Sequence, residues 1–181
     1  EILERMEGLY EEFSHYCAYA DAYDVVRGEG EPRLSPTRLK EVPDWAENLA
    51  IRDRRAEIKK QYGTAGERAC YFTEGGYCTL FSEGMKLAGN GGVDDLIAKA
   101  AELVYEDEFG HMCKGIIGLD AEDMTGADWD LMTELSVELA GMRIDMRNVQ
   151  FSFPLSAERV AAIKAGDIEP VVFDFEKVEA A

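Results

Sequence analysis

The stretch Tyr105–Met112, YEDEFGHM, places Glu108 and His111 three residues apart in a segment with helical periodicity. Residues at this spacing lie on the same side of a helix, so a carboxylate and an imidazole can reach one metal ion. The chain has one other histidine, His15, and it also follows a glutamate, Glu12, by three residues. Two helices with the Glu-x-x-His pattern are typical of a dimetal site in the core of a helical bundle.

Apolar residues surround both motifs at helical spacing. Those around Glu108 are Ile97, Ala101, Val104, Tyr105, Met112 and Leu119, and those around Glu12 are Leu9, Tyr16, Tyr19, Tyr23 and Val26. A lone carboxylate on a buried stripe costs several kcal/mol unless another group compensates its charge. A divalent ion shared among carboxylates would compensate it, so the pattern favours a metal site.

A third carboxylate, Glu74, has the same kind of surroundings. Its neighbours at helical spacing are Cys70, Tyr71, Tyr77, Cys78, Phe81 and Met85. Gly75 and Gly76 follow it, and a glycine costs about 1 kcal/mol in a helix interior. Three interpretations of the glycines stay open: room beside a metal for dioxygen or substrate, a π-type distortion of the helix, and close helix–helix packing.

Helical periodicity dominates the chain and predicts an all-α protein. We expect helices at 1–27, about 43–62, 64–88, about 93–117, about 125–149 and 156–166, with a strand or extended arm at 169–178. A capping box is expected at Thr64 with Glu67, and Thr125 and Asp128 are expected to open the fifth helix. The expected organisation is a helical bundle over residues 1–150, followed by a short helix and tail over 151–181.

Composition and charge exclude some classes of function. The net charge of −18 repels phosphate backbones, so nucleic acid is not an expected partner. No apolar run approaches the roughly 20 residues that span a bilayer, and EILERMEGLY has no signal-peptide pattern. The four cysteines, which are Cys17, Cys70, Cys78 and Cys113, form no C-x-x-C pair and are expected to be reduced core residues of a cytoplasmic protein.

The order of these motifs resembles that of the ferritin-like di-iron carboxylate superfamily, which includes ferritins, rubrerythrins, the ribonucleotide reductase small subunit and bacterial multicomponent monooxygenases. That family has a Glu, then Glu-x-x-His, then a Glu, then Asp/Glu-Glu-x-x-His. Over roughly residues 5–118 this chain has, in order, Glu12-x-x-His15, Glu74 and Asp107-Glu108-x-x-His111. The resemblance implies a ferritin-like bundle with a long crossover, to which this chain adds C-terminal helices.

The resemblance also implies a role for each residue. Glu12 and Glu108 would bridge two metals, Glu74 would be a terminal ligand, His15 and His111 would bind one metal each, and Asp107 would accept the free N–H of a ligating histidine. Nitrogen and carboxylate ligands without thiolate suit two iron ions, or a manganese and iron pair.

One family ligand has no counterpart, because the first Glu of the family lies on a helix before the residue that matches Glu12. We expect this helix to precede Glu1 in a longer chain. The alternative is that the fifth helix supplies the ligand through Glu138, which shares a face with Leu131, Leu135 and Met142. Pairing with a base remains an equal interpretation of Glu138, the candidate bases being Arg143, Arg147 or one on a neighbouring helix.

The leading functional prediction is an oxidase or hydroxylase that activates dioxygen and oxidises a small organic substrate. Tyr71 and Tyr105 each precede a proposed ligand by three residues, so they are candidate catalytic residues beside Glu74. Dioxygen, the substrate, an electron-donor protein and a further copy of the chain are the expected partners. The two alternatives are a ferroxidase or iron-storage protein, and a non-enzymatic helical interaction module.

Overall fold

The protein is described by a computed structural model that covers residues 2–173, apart from the side chain of Glu4. Within that range the structure is all-α, as predicted, and it has no strand. Its helices are α1 (Ile2–Val26), α2 (Pro36–Leu39), α3 (Ala46–Gln61), α4 (Gly63–Phe72), α5 (Gly75–Met85), α6 (Gly92–Lys114), α7 (Gly126–Gln150) and α8 (Ala157–Lys164), with a 3₁₀ turn at Leu119–Ala121. None of the described helices combines the length and the apolar character needed to cross a bilayer.

The start of α7 at Thr125 and Asp128 is confirmed. The Thr125 hydroxyl accepts a hydrogen bond from the Asp128 N–H at 3.3 Å, and the Asp128 carboxylate accepts one from the Thr125 N–H at 2.8 Å. The Thr125 hydroxyl also donates to Asp128 Oδ2 at 2.7 Å, and this bond, together with the one from the Thr125 N–H, holds the pKa of Asp128 below its usual range. Ser156 caps α8 in the same way, by accepting from the N–H of Arg159.

The predicted long helix over residues 64–88 is wrong, because the chain forms two helices there. α4 ends at Phe72, where the Thr73 hydroxyl donates to the Cys70 carbonyl at 3.0 Å, and α5 begins after a turn at Thr73 and Glu74. A side-chain hydroxyl that bonds a backbone carbonyl competes with helix continuation, and the two glycines that follow add little helix propensity. Glu74 is therefore a turn residue.

Other boundaries also differ from the prediction. α4 begins at Gly63 and has no side-chain cap, so the expected capping box at Thr64 is absent. α6 ends at Lys114, where the Arg68 guanidinium donates to the carbonyls of Lys114 and Ile117 at 2.6 and 2.8 Å. No strand is present at 169–173, and the rest of the predicted extended tail lies outside the described residues.

The chain divides into two compact units, each built from two segments. The first contains the residues up to Pro43 and Tyr77–Phe109, and the second contains Asp44–Gly76 and the residues from Gly110 onward. Helices α5 and α6 each pass from one unit to the other along the chain. The boundary expected at residue 150 falls inside the second unit.

The second unit has a core formed by α3, α4 and α7. Its buried residues are Ile58, Ala65, Ala69, Cys70, Leu119, Met132, Leu135 and Leu139. Small residues on α4 let the helices approach closely: a Cβ added at Gly66 would lie 2.7 Å from the Ile58 carbonyl oxygen. This packing places the end of α4, and with it the turn at Glu74, beside α3.

In the first unit, small residues also bring helices together. A Cβ added at Gly84 on α5 would lie 2.8 Å from the Cβ of Ala101 on α6. After α1 the chain is held by the Tyr16 hydroxyl, which donates to the Leu34 carbonyl at 2.9 Å. All four cysteines are free thiols, and three of them are buried.

Candidate metal centre

Glu74 is half-buried and faces two basic side chains of the second unit. A guanidinium nitrogen of Arg55, on α3, donates to Glu74 Oε1 in a short hydrogen bond. His111 Nδ1, on α6, lies 3.5 Å from Glu74 Oε2. The side chains of Arg55 and Glu74 are only 19% and 15% exposed, so water screens this ion pair weakly. Each oxygen of Glu74 therefore has its own basic neighbour.

Close packing holds the turn at Glu74 against α6. Gly75 follows Glu74, and Met112 follows His111. A Cβ added at Gly75 would overlap Met112 Sδ and lie 2.9 Å from Met112 Cγ. Met112 is buried to 1% exposure and has little room to move. Close helix–helix packing therefore accounts for Gly75, one of the three interpretations that the sequence left open.

Gly76 also borders a charged side chain, Arg143 of α7. A Cβ at Gly76 would lie 3.1 Å from Arg143 Cδ, which is tighter than an ordinary contact. The side chain of Arg143 is buried, which is unusual for an arginine. The glycine thus makes space for a buried guanidinium stem in the second unit.

Glu108 is half-buried and stands one turn before His111 on α6. The geometry of the helix places the two side chains on the same side, as the spacing predicted. Glu106, two residues earlier on the same helix, is exposed. Glu108, the glutamate of the motif, is therefore more buried than Glu106.

His15 makes a hydrogen bond to the residue that precedes Glu108. Its Nε2 lies 2.7 Å from Asp107 Oδ2, and the two side chains are 14% and 27% exposed. A carboxylate at Nε2 favours the tautomer with the proton on that nitrogen, which leaves Nδ1 as the basic nitrogen. Asp107 thus accepts from a histidine, the contact that the resemblance implied. Metal binding by His15 remains a prediction.

Glu12 lies on an exposed part of α1. Leu9, Tyr19 and Val26 are also exposed, so the predicted buried stripe around Glu12 is wrong. The reason is the rotation of α1, because the side of the helix that carries His15 is the one facing α6. Glu12 stands at the margin of that side, and among the described residues its carboxylate is not part of a group of potential ligands.

Glu138 forms an ion pair with a base on α3. Arg54 on α3 donates through Nε to Glu138 Oε1 at 2.6 Å and through Nη2 to Oε2 at 2.9 Å. This bidentate contact lowers the pKa of Glu138. The alternative interpretation of Glu138, a pairing with a base on a neighbouring helix, is therefore present in the structure. Its tentative role as a metal ligand remains a prediction.

The two candidate catalytic tyrosines have ordinary packing contacts. The Tyr71 ring lies 4.7 Å from Lys59 Nζ, a cation–π distance. Tyr105 stacks on Phe109 with ring centroids 6.1 Å apart. These contacts leave the proposed catalytic roles as predictions.

Arg55 was not predicted as part of the site. A signal was present in the sequence, because Ile51, Arg55 and Ile58 follow the four- and three-residue spacing of one helix face. Both isoleucines are buried, so the arginine between them had to reach a partner or water. No protein family, curated protein or solved structure matches the chain.

Proposed function

We propose that this chain is a metal-dependent oxidoreductase with a ferritin-like bundle, in which Glu74, Glu108 and His111 bind iron or manganese. The observation that carries the proposal is the approach of His111 Nδ1 to Glu74 Oε2 at 3.5 Å, one helical turn from Glu108. Two carboxylates and an imidazole form a donor set that suits both metals. Three protein ligands would also leave coordination positions for other molecules.

The residues fit a second metal less completely. His15 is oriented by Asp107 so that Nδ1 is its basic nitrogen, which is how a ligating histidine is commonly held. Glu108 would serve both ions, as the family pattern implies. Iron bound in such a site would supply the reduction of dioxygen and the oxidation of a small organic substrate.

The chain's own residues would control charge and access. Arg55 neutralises Glu74, which avoids the cost of an unpaired charge in a half-buried site. A metal ion would have to compete with this guanidinium for Glu74. Asp107 would keep the His15 ring in one orientation, so the nitrogen that faces a metal is already selected before binding.

Metal content tests the proposal directly. Protein loaded with ferrous iron without oxygen, then desalted, should retain iron by elemental analysis and should melt at a higher temperature than metal-free protein. Glu108→Ala should remove all bound iron, and His111→Ala and Glu74→Ala should each weaken one site more than the other. Glu106→Ala is the matched control, because this glutamate of α6 is exposed, and it should bind iron like the wild type.

Oxygen exposure then separates the types of reaction. An oxidase should show transient optical absorption on mixing with oxygen and should consume oxygen in proportion to an added organic reductant. A storage protein should instead accumulate many ferric ions per chain and assemble into a large cage. Failure of iron and manganese to bind, together with an unchanged melting temperature, would overturn the metal proposal.

The second candidate is a non-enzymatic helical module, and the ion pair between Arg55 and Glu74 favours it. Under this alternative the polar groups pair only with one another. Arg55→Gln distinguishes the two candidates. It should tighten iron binding if Glu74 is a ligand, because a competing cation is removed. It should only lower the free energy of unfolding, without iron binding, if the pair is structural.

A further inference from the structure

The side of α1 away from His15 carries large apolar side chains that the described chain leaves uncovered. This outer face of α1 consists of Ile2, Leu3, Met6, Leu9, Tyr10 and Phe13, each between 55% and 79% exposed. Scattered apolar residues are normal on a protein surface, but a contiguous row of six is typical of an interaction site. The helix is therefore apolar on the side that faces solvent.

The spacing of these residues is that of a coiled coil. Ile2, Met6, Leu9 and Phe13 are separated by four, three and four residues, which is the heptad pattern of a helix that packs along another helix. Leu3 and Tyr10, one heptad apart, lie along one edge of this seam. The other edge carries Arg5 and Glu12, also one heptad apart and of opposite charge, and both are exposed.

We propose that the outer face of α1 pairs in antiparallel orientation with α1 of a second copy of this chain. In this register Met6 packs in the layer of the partner's Leu9, and Ile2 packs in the layer of the partner's Phe13. The same register places Arg5 opposite the partner's Glu12. A two-fold axis repeats each contact, so the surface is complementary to itself.

The charged edge selects both the orientation and the occupant. In an antiparallel pair, the edge with Arg5 and Glu12 meets the same edge of the second helix. Arg5 of each copy then forms an ion pair with the partner's Glu12, which gives two ion pairs. In a parallel pair that edge would meet the one with Leu3 and Tyr10, and no ion pair would form. A second copy therefore covers the apolar seam and also pairs the charged edge. On the other edge, Leu3 packs against the partner's Tyr10.

The size of the surface sets the expected affinity. Six side chains that each bury roughly 100 Å² would give about 600 Å² per copy, at the low end of specific protein interfaces. Each copy also carries a net charge of −18, which opposes association. We therefore expect a dimer in the micromolar range of Kd, with α1 as its contact.

Sedimentation velocity over a range of protein concentrations tests association. The wild type should shift from monomer to dimer in the micromolar range, and Leu9→Glu should remain monomeric with an unchanged helical circular dichroism spectrum. Val137→Glu is the matched control, because Val137 on α7 is exposed to 63% but lies outside the face; it should dimerise like the wild type. A monomeric wild type, or a dimer that survives Leu9→Glu, would overturn the proposal.

A charge exchange tests the register. Arg5→Glu and Glu12→Arg alone should each weaken the dimer by roughly tenfold, because each change replaces two attractive pairs by repulsive ones. An equimolar mixture of the two single variants should associate as tightly as the wild type, and the double variant should recover dimerisation. If neither the mixture nor the double variant recovers it, the antiparallel register is wrong. These readouts require no metal.

Discussion

Gly75→Ala should weaken both the fold and the proposed metal site, because Gly75 lies against Met112. A Cβ at this position would overlap Met112 Sδ and would lie 2.9 Å from Met112 Cγ, whereas ordinary contacts are 3.4–4 Å. Met112 is buried to 1% exposure, so its side chain cannot simply turn into solvent. Either the turn at Glu74 or this part of α6 has to move by about the length of the overlap.

The magnitude follows from two opposing terms. Overpacking of a buried site costs about 1–3 kcal/mol, and the severe overlap places this change at the upper end. Replacing glycine by alanine at a helix start improves helix propensity, which stabilises the fold by at most about 1 kcal/mol. The net loss in the free energy of unfolding should be about 2 kcal/mol, which lowers the urea midpoint by roughly 1 M.

Urea unfolding followed by circular dichroism measures this loss on metal-free protein. Gly110→Ala is the matched control, because Gly110 lies inside α6 and a Cβ there has nothing within 4 Å; it should stabilise the protein by up to about 1 kcal/mol. If Glu74 and His111 bind iron as proposed, Gly75→Ala should also bind it more weakly, since displacement separates the two side chains. A Gly75→Ala variant as stable as the wild type would refute the packing argument.

Three further changes test other contacts. Gly115→Ala should cost about 2–3 kcal/mol in urea unfolding, because its Cβ would lie 2.8 Å from the Cα of Phe72 and backbone cannot easily yield; an unchanged midpoint would contradict this. Thr125→Ala should lower the free energy of unfolding by about 1 kcal/mol, because it removes the cap of α7; an unchanged free energy of unfolding would contradict a role for the cap in stability. Glu138→Gln should be less stable than the wild type at pH 7. Pairing with Arg54 lowers the pKa of Glu138, so its stabilisation is present above the usual glutamate range and is lost as pH falls through the lowered pKa. The difference between the two proteins should shrink as the pH falls below the usual glutamate range, and a constant difference would exclude the ion pair as its source.

Helix positions were predictable where local chemistry marks them. The start of α7 followed from Thr125 and Asp128, whose reciprocal hydrogen bonds depend only on residues three apart. The break between α4 and α5 did not follow, because apolar periodicity continues through it. The helix ends there because the Thr73 hydroxyl bonds to a carbonyl of the preceding turn. The spacing of apolar residues does not predict this bond.

The site was predictable in part, for a related reason. The spacing that joins Glu108 to His111 is a property of one helix, and the structure retains it. The direction in which a helix faces depends on the rest of the chain. On α1 the apolar side was taken as the inner one, but the side with His15 faces α6. Glu12 was misplaced on this account, and Arg55 was missed because its partner is 19 residues away.

The pairing of Arg55 with Glu74 has a consequence for how the protein would be made in a cell. If the proposed metal site is present, Arg55 already compensates the charge of Glu74 without an ion, so folding would not require one. Ions that bind carboxylates weakly would not displace the guanidinium of Arg55 and would not bind. Arg55 would therefore set a minimum affinity for binding. An ion would bind only if its interaction with Glu74 and His111 is stronger than the ion pair between Arg55 and Glu74.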